Sequence, residues 1–526
     1  MNARTATNTV SHSTAALSTA RIATHRRLST LLGAVLLGLA TLACYLLTLA
    51  PTVLPGDPGR FQARAYALDI GHATGYPTFI MLGKLFTYLP VGDVAYRVNL
   101  SSAVYGALAV SLLYLVTIRL TASVPAALVA AASFGLSRTY WSQAVIAEVY
   151  TLHALFICAV MLALAVWRDT RRDRYLLAAA FLCGLSLTNH ATSGLLIPLG
   201  LLWIAMTDLR RLRDWRLALK GAALFALGLL PYTYLPIRAS MNPPMNYTDP
   251  STPERFFYLV TGRQFADRMF AFGPGELPER LGLYWADLRL QGALLLLPLA
   301  LVGILWSFRH DHPASAFLAA LFTGQLAYAL EYDISDINAY FIPTYISLAV
   351  WSAFGVRAIL DFLREVRSSQ ARRAAMVLLG VVLLMDAGLS WRGNLTAVDQ
   401  SENLIARRQI ERVVALPQGA LLYDTRFTPT LDYLDHVERR RQDLGVCQIT
   451  PENVRERLEQ DLRSGRKVFL LYRDFGRPEY AAVLHDQYPT RRVRGLWSVS
   501  RAAQQPAAQP RIPPADSPDC REFSET

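Results

Sequence analysis

A series of stretches in this chain carry almost no charge: Leu28 to Thr52, Val94 to Val116, Ala154 to Trp167, Ala222 to Leu235, Ala293 to Trp306, Tyr340 to Phe362 and Ala374 to Leu389. Such runs limit the possible folds more than any other feature. A helix that crosses a bilayer needs about 20 mostly apolar residues. In lipid only helices and closed barrels satisfy their own backbone polar groups. Several runs reach that length, and the shorter ones reach it with their flanks. Charged residues make up 17% of the 526, where a soluble chain carries about 25%. The expected fold is mainly α: a polytopic transmembrane bundle of about ten to twelve membrane helices.

The net charge of +12 raises the question of nucleic acid, but the location of the charge argues against it. Arg171, Arg172 and Arg174 cluster at one helix end, Arg210, Arg211 and Arg213 at another, and Arg364, Arg367, Arg372 and Arg373 at a third. Short basic loops beside apolar spans mark the cytoplasmic face. Arg26 and Arg27 place the N-terminus there as well. Residues 1–27, rich in Ser, Thr and Ala, read as a disordered cytoplasmic segment. The apolar run continues to Leu54, which favours an uncleaved first span over a signal peptide.

From this start the transmembrane part runs over 28–391, with external loops at 53–93 and 239–290. Thr78 to Leu89 reads as a helix lying at the outer interface. Tyr175 to Met206 has basic clusters at both ends and is too short for two full spans. Two short helices meeting near Asn189 and His190 satisfy both constraints, with the tip in a polar cavity. Residues 392–502 read as an external α/β module, with strands at Ala415 to Tyr423 and Lys467 to Tyr472 and a helix at Pro451 to Arg463 capped by Thr450. Cys447 and Cys520 can pair if this part is external. Residues 503–526, rich in Pro and Ala, read as disordered.

This topology puts Asp57, Asp69, His72, Glu148, Asp249, Asp333 and Asp336 on one side, with Arg60, Arg64, Arg97 and Arg238. Ionisable groups near membrane depth are candidates for function. Asp57 lies in Leu54-Pro-Gly-Asp-Pro-Gly-Arg60, where it is equally the residue a tight turn takes. His72, in Gly71-His-Ala-Thr-Gly-Tyr-Pro77, has the chemistry to donate to a phosphate or orient a carboxylate. Glu148 opens an apolar helix, where an acid also complements the helix dipole. His190 fits a polar cavity or a packed core.

The set of motifs resembles a family. Asp57 after the first span, His72 with Gly75-Tyr-Pro77, Arg97-Val-Asn99, Trp141 through Glu148-Val-Tyr150, Gly184 through Asn189-His190 and Tyr232 through Arg238 follow in that order. Asn246-Tyr-Thr-Asp249 and Thr261-Gly-Arg-Gln264 complete it. Over residues 28–400 this is similar to the GT-C glycosyltransferases, in the branch whose eukaryotic members include an O-mannosyltransferase acting on plexin-type receptors. The resemblance implies a GT-C-like bundle and sugar transfer from a polyprenyl phosphate with inversion. It also implies Asp57 as general base. Candidates to bind donor phosphate or substrate are Arg238, His72, His190 and Arg97, with Arg60, Glu148, Asn189 and Asp249. Relatives often carry Asp-Ser-Gly-Glu where this chain has Asp57-Pro-Gly-Arg60. The cation weakens the case for a metal held by two acids and offers a phosphate contact. No cofactor or metal ligand is assigned, and a divalent metal stays open.

The implied partners are membrane lipid, a polyprenyl-phosphate-linked sugar, and an acceptor protein or envelope glycan, with no nucleic acid. The implied location is the inner (plasma) membrane, with the site and the C-terminal module periplasmic. A transporter or flippase explains the helices and a polar cavity, but such proteins tend to show paired broken helices, and only one hairpin is visible. A non-catalytic envelope-assembly protein is the third reading.

Overall fold

The computed structural model describes residues 28–292, 294–424, 429–471, 480, 488–493, 496–500 and 520–522. The chain is an integral membrane protein. Among the described residues, eight helical stretches are long and apolar enough to cross a membrane. The first is α1 (Leu28–Leu47), shorter than the run that encodes it because the chain turns at Pro51. It is followed by α2 (Asp57–Ala67) and α3 (Pro77–Phe86), then by α4 (Val94–Thr121), the 28-residue centre of the bundle. Asp93 caps α4 by accepting from the Tyr96 N–H at 2.8 Å. Next come α5 (Val124–Gly135), α6 (Arg138–Ala144) and α7 (Tyr150–Thr170). The chain breaks between α5 and α6 at Leu136 and Ser137.

Two short helices, α8 (Arg174–Leu187) and α9 (Leu196–Asp208), meet through Thr188, Asn189, His190 and a 3₁₀ turn, Ala191–Leu195. The bundle continues through α10 (Trp215–Gly228), α11 (Tyr234–Ala239), α12 (Pro253–Val260), α13 (Leu277–Arg289), α14 (Leu296–His310), α15 (His312–Leu330), α16 (Ile342–Glu365) and α17 (Ser369–Val398). Helices in lipid gain from close backbone contact. α8 and α10 cross at Gly184 and Gly228, where an added Cβ would lie 2.1 Å from the Phe225 carbonyl oxygen and 2.4 Å from that of Phe181.

The sequence reading treated Leu54 to Arg60 as a turn. Asp57 is instead the first residue of an 11-residue helix, entered through Gly56 at φ 75° and Pro58. The polarity of α2 hid it. Gln62 points inward and is satisfied there: it accepts from the Leu54 N–H at 3.1 Å and donates to Asn99 Oδ1 at 2.7 Å. Asn99 in turn donates to the Ala50 carbonyl at 3.0 Å. This amide chain ties α2 to α4 and to the exit of α1.

The C-terminal part adds α18 (Ile405–Val414), α19 (Pro429–Asp432), α20 (Val454–Arg463) and six strands. These are β1 (Leu421–Asp424), β2 (Gly445–Gln448), β3 (Val468–Leu471), β4 (Thr490–Val493), β5 (Leu496–Val499) and β6 (Cys520–Glu522). They form a mixed sheet in the order β4-β5-β3-β1-β2-β6, with β1 parallel to β2 and β3. The antiparallel β2–β6 pair sets Cys447 opposite Cys520, and Cys447 is disulfide-bonded. Residues 1–27 and most of 503–526, expected to be disordered, lie outside the described residues. The module shares one apolar core with the membrane part, in which Val53, Ala63 and Ala95 pack with Leu422, Leu431 and Tyr433. Arg407 clamps the joint by pairing with Glu438 and with Asp93 at 3.0 Å.

Candidate active site

Helix ends converge at one end of the bundle around a cavity of about 420 Å³. The start of α2 supplies Asp57 and Arg60, and the α2–α3 loop supplies His72 and Tyr76. The α6–α7 turn adds Glu148 and Tyr150, and the α8–α9 tip adds His190 and Thr192. Arg268, Tyr332, Asp336 and Tyr340 close the far side. The other end of the bundle holds the basic clusters. There Arg168 pairs with Asp311 at 2.6 Å, and Arg357 donates to the Thr121 carbonyl at 2.9 Å. The cavity and the basic loops therefore sit at opposite ends.

Asp57 is held from two directions. Arg60 Nη1 lies 3.0 Å from Oδ1, and His72 Nε2 lies 4.0 Å from Oδ2. The Asp57 side chain is 42% exposed, so the carboxylate is open to the cavity. Burial pushes the His72 imidazole down to about 4; the Asp57 charge opposes this, and the Arg64 and Arg60 cations reinforce it. His72 is therefore a neutral ring at pH 7. Burial also pushes the Glu148 carboxyl well up, and the charges of Asp57 and Asp336 add to the effect. Glu148 thus favours the neutral acid. Its backbone is locked by Ser102, which donates to the Glu148 carbonyl and accepts from its N–H, each at 3.1 Å. Asp336 is raised by burial, offset in part by the Tyr150 hydroxyl, which donates to it at 2.9 Å.

His190 stacks on the buried His153 with ring centroids 4.8 Å apart, and the Tyr150 and Tyr340 rings pack on its other sides. Thr192 fixes His190 through Nδ1 at 2.8 Å. The cavity lining is rich in tyrosine: Tyr76, Tyr150, Tyr328, Tyr332 and Tyr340 all reach it. Flat rings with phenol tips offer stacking area and hydrogen bonds together, which suits a sugar. Among the described residues, no group of three or more His, Cys, Asp and Glu is placed to hold a metal ion.

Several residues singled out in the sequence stand off the cavity. Arg97 spends its guanidinium on the carbonyls of Thr87, Val91 and Gly92. Arg238 donates to the Leu68 carbonyl at 2.8 Å, so it caps the end of α2. Asn189 donates to the Val149 carbonyl at 3.2 Å and holds the chain that carries Glu148. Asp249 pairs with Arg255 and accepts from Asn246. Conversely, sequence reasoning passed over Arg268 as a site residue and left Asp336 as one acid of an external loop. Arg268 follows the Thr261-Gly-Arg-Gln264 motif by four residues, the only signal that pointed to it. It lines the cavity, is exposed, and among the described residues makes no ion pair.

Residues 57–213 match the family model for the protein O-mannosyl-transferase TMEM260 N-terminal domain. The chain is similar to the TMEM260 proteins. A mouse protein O-mannosyl-transferase TMEM260 is 37% identical over 223 residues, 41% of this chain and 32% of that protein. The Dictyostelium discoideum relative is 22% identical over 472 residues, 80% of this chain and 57% of its own length. The chain thus spans between a third and just over half of these relatives. Among solved structures it is similar to ArnT from Cupriavidus metallidurans, a structure with undecaprenyl phosphate bound. The TM-score is 0.61 at 12% identity, covering 91% of this chain and 99% of ArnT. The fold is GT-C-like, as the motif resemblance implied.

Proposed function

We propose that this chain is an inverting, GT-C-type O-mannosyltransferase of the inner membrane. It takes mannose from a polyprenyl phosphate and gives it to a protein hydroxyl on the periplasmic side. The observation that carries this reading is one cavity lined by the exposed Asp57 carboxylate, by Glu148 and by the Arg268 guanidinium, at the end of the bundle away from the basic loops. The positive-inside rule makes that end external. A disulfide at Cys447 fits an oxidising compartment. The similarity to TMEM260 relatives supports mannose and a protein acceptor.

Asp57 is the general base. It removes the proton of the acceptor hydroxyl as the oxygen attacks the anomeric carbon, and the carbon–phosphate oxygen bond breaks on the opposite face. Polyprenyl phosphate leaves with the bonding pair. Preorganised cations stabilise that developing charge; Arg268 supplies one, and Arg60 another when it turns from Asp57. The tyrosine lining holds the sugar between base and phosphate. An Asp57→Asn variant keeps the shape and removes the base. Transfer from polyprenyl-phosphate mannose to membrane acceptors should fall by roughly 10²–10⁴-fold, the share of a positioned base, at an unchanged protein level. Full transfer by the Asn variant would remove Asp57 from the chemistry.

A further inference from the structure

Arg64 lies one helical turn beyond Arg60 on α2 and is only 6% exposed. Its Nη1 approaches His72 Nδ1 at 3.4 Å, while its Nε has no hydrogen-bond partner. The guanidinium also lies 5.9 Å from the Tyr247 ring centroid. A buried cation costs a great deal unless a specific interaction retains it. Guanidinium can only donate, so Nδ1 of His72 must accept and carry no proton. A neutral imidazole then carries its single hydrogen on Nε2, the nitrogen facing Oδ2 of Asp57 at 4.0 Å. The rings of Phe61 and Tyr76, with centroids 5.4 and 5.1 Å away, hold the imidazole plane.

We propose that Arg64 is a positioning residue: by donating to Nδ1 of His72 it fixes the Nε2–H tautomer and aims that hydrogen at the second oxygen of Asp57. Arg60 holds the first oxygen, so the carboxylate keeps one orientation toward the acceptor. The charged groups around this relay are Asp57 and Arg60 on α2, Asp69 just beyond its end, and Asp432 on α19, all of which act on Arg64. The Arg64 cation also keeps a proton off Nδ1. Without it the ring protonates more readily and forms an ion pair that silences the base. This inference rests on Asp57 being that base.

The test is a double-mutant cycle on the full chain in membranes, read as mannose transfer from polyprenyl-phosphate mannose to endogenous acceptors. Arg64→Met should lower kcat at least about tenfold, within the roughly 10²–10⁴-fold a positioned base contributes, with KM for the donor unchanged. The acid limb of the kcat profile should move to higher pH. His72→Gln presents an amide donor near Nε2 and has no tautomer to fix. In that background Arg64→Met should cost less than about threefold, because partners in one relay are not additive. Losses that multiply, or an Arg64→Met enzyme with unchanged kcat and profile, overturn the inference. If Arg64→Met does not accumulate, Arg64→Leu takes its place in the same cycle. An Asp57→Asn enzyme that still transfers sinks the base itself, whatever Arg64 does.

Discussion

Two buried groups beside the site pull stability in opposite directions with pH. The His72 pKa falls from an ordinary 6.5 to about 4. The unfolded chain therefore binds a proton that the folded one refuses, and stability drops as pH falls from about 6.5 to 4. Asp69 is fully buried, and burial raises its carboxyl from 3.8 to about 6, against the Arg238 and Arg64 cations. Here the folded chain binds the extra proton. Its contribution is complete below 3.8 and is lost as pH rises through 6. Over the shared window the two largely cancel. Glu148 and Asp336 are raised like Asp69 in every variant, so each effect is read against wild type: the melting temperature of Asp69→Asn should drop further below that of wild type as pH goes from 6.5 to 4.5. His72→Gln should expose the reverse slope. Parallel slopes in the two variants would refute both assignments. At this scale, the sequence indicated which residue types gather at one end of the bundle, and Asp57, Arg60, His72, Glu148 and His190 do line one cavity. It could not tell an arginine aimed at a ligand from one aimed at a carbonyl. Arg97 and Arg238 carry the same charge as Arg268, and only the fold around them separates them.

The long apolar elements were legible because lipid demands length and uniform composition together. The α8–α9 hairpin was legible because two basic clusters 32 residues apart leave room for nothing else. α2 was not, since its inward side carries Gln62 and Arg64, and a buried polar side looks like a loop until its partners are known. Those partners give the element its stability. Asn99→Ala removes the acceptor for Gln62 Nε2 and the donor to the Ala50 carbonyl. A buried polar group left without a partner costs about 1–3 kcal/mol. The variant should melt lower and lose kcat, because the start of α2 carries Asp57. Equal melting temperatures for wild type and Asn99→Ala would mean that the amide chain does not anchor α2.

Across the whole molecule, the C-terminal module is a structural part of the candidate site rather than an appendage. α19 packs on α2, and Pro429 lies so close to Gly59 that an added Cβ there would come within 3.2 Å of it. The Tyr433 hydroxyl accepts from the Ala95 N–H at 3.1 Å, at the start of α4. The joint also depends on Arg407, which reaches Glu438 within the module and Asp93, the cap of α4, across it. Thr52 completes this triad by donating to Asp93 at 2.5 Å. Arg407→Ala leaves Asp93 without its cation, while Glu438 keeps Arg440 at 3.2 Å. Because Asp93 is 32% exposed, the cost should be about 2 kcal/mol, less than the 3–5 of a fully buried pair. The apolar core around Leu431 and Tyr433 remains, so the module should stay folded but loosen from α2. Limited proteolysis should then cut near the α17–α18 junction faster than in wild type, and the proposed mannose transfer should fall through kcat rather than through donor KM. Faster cleavage with unchanged transfer would mean that α2 holds Asp57 in place without help from the module.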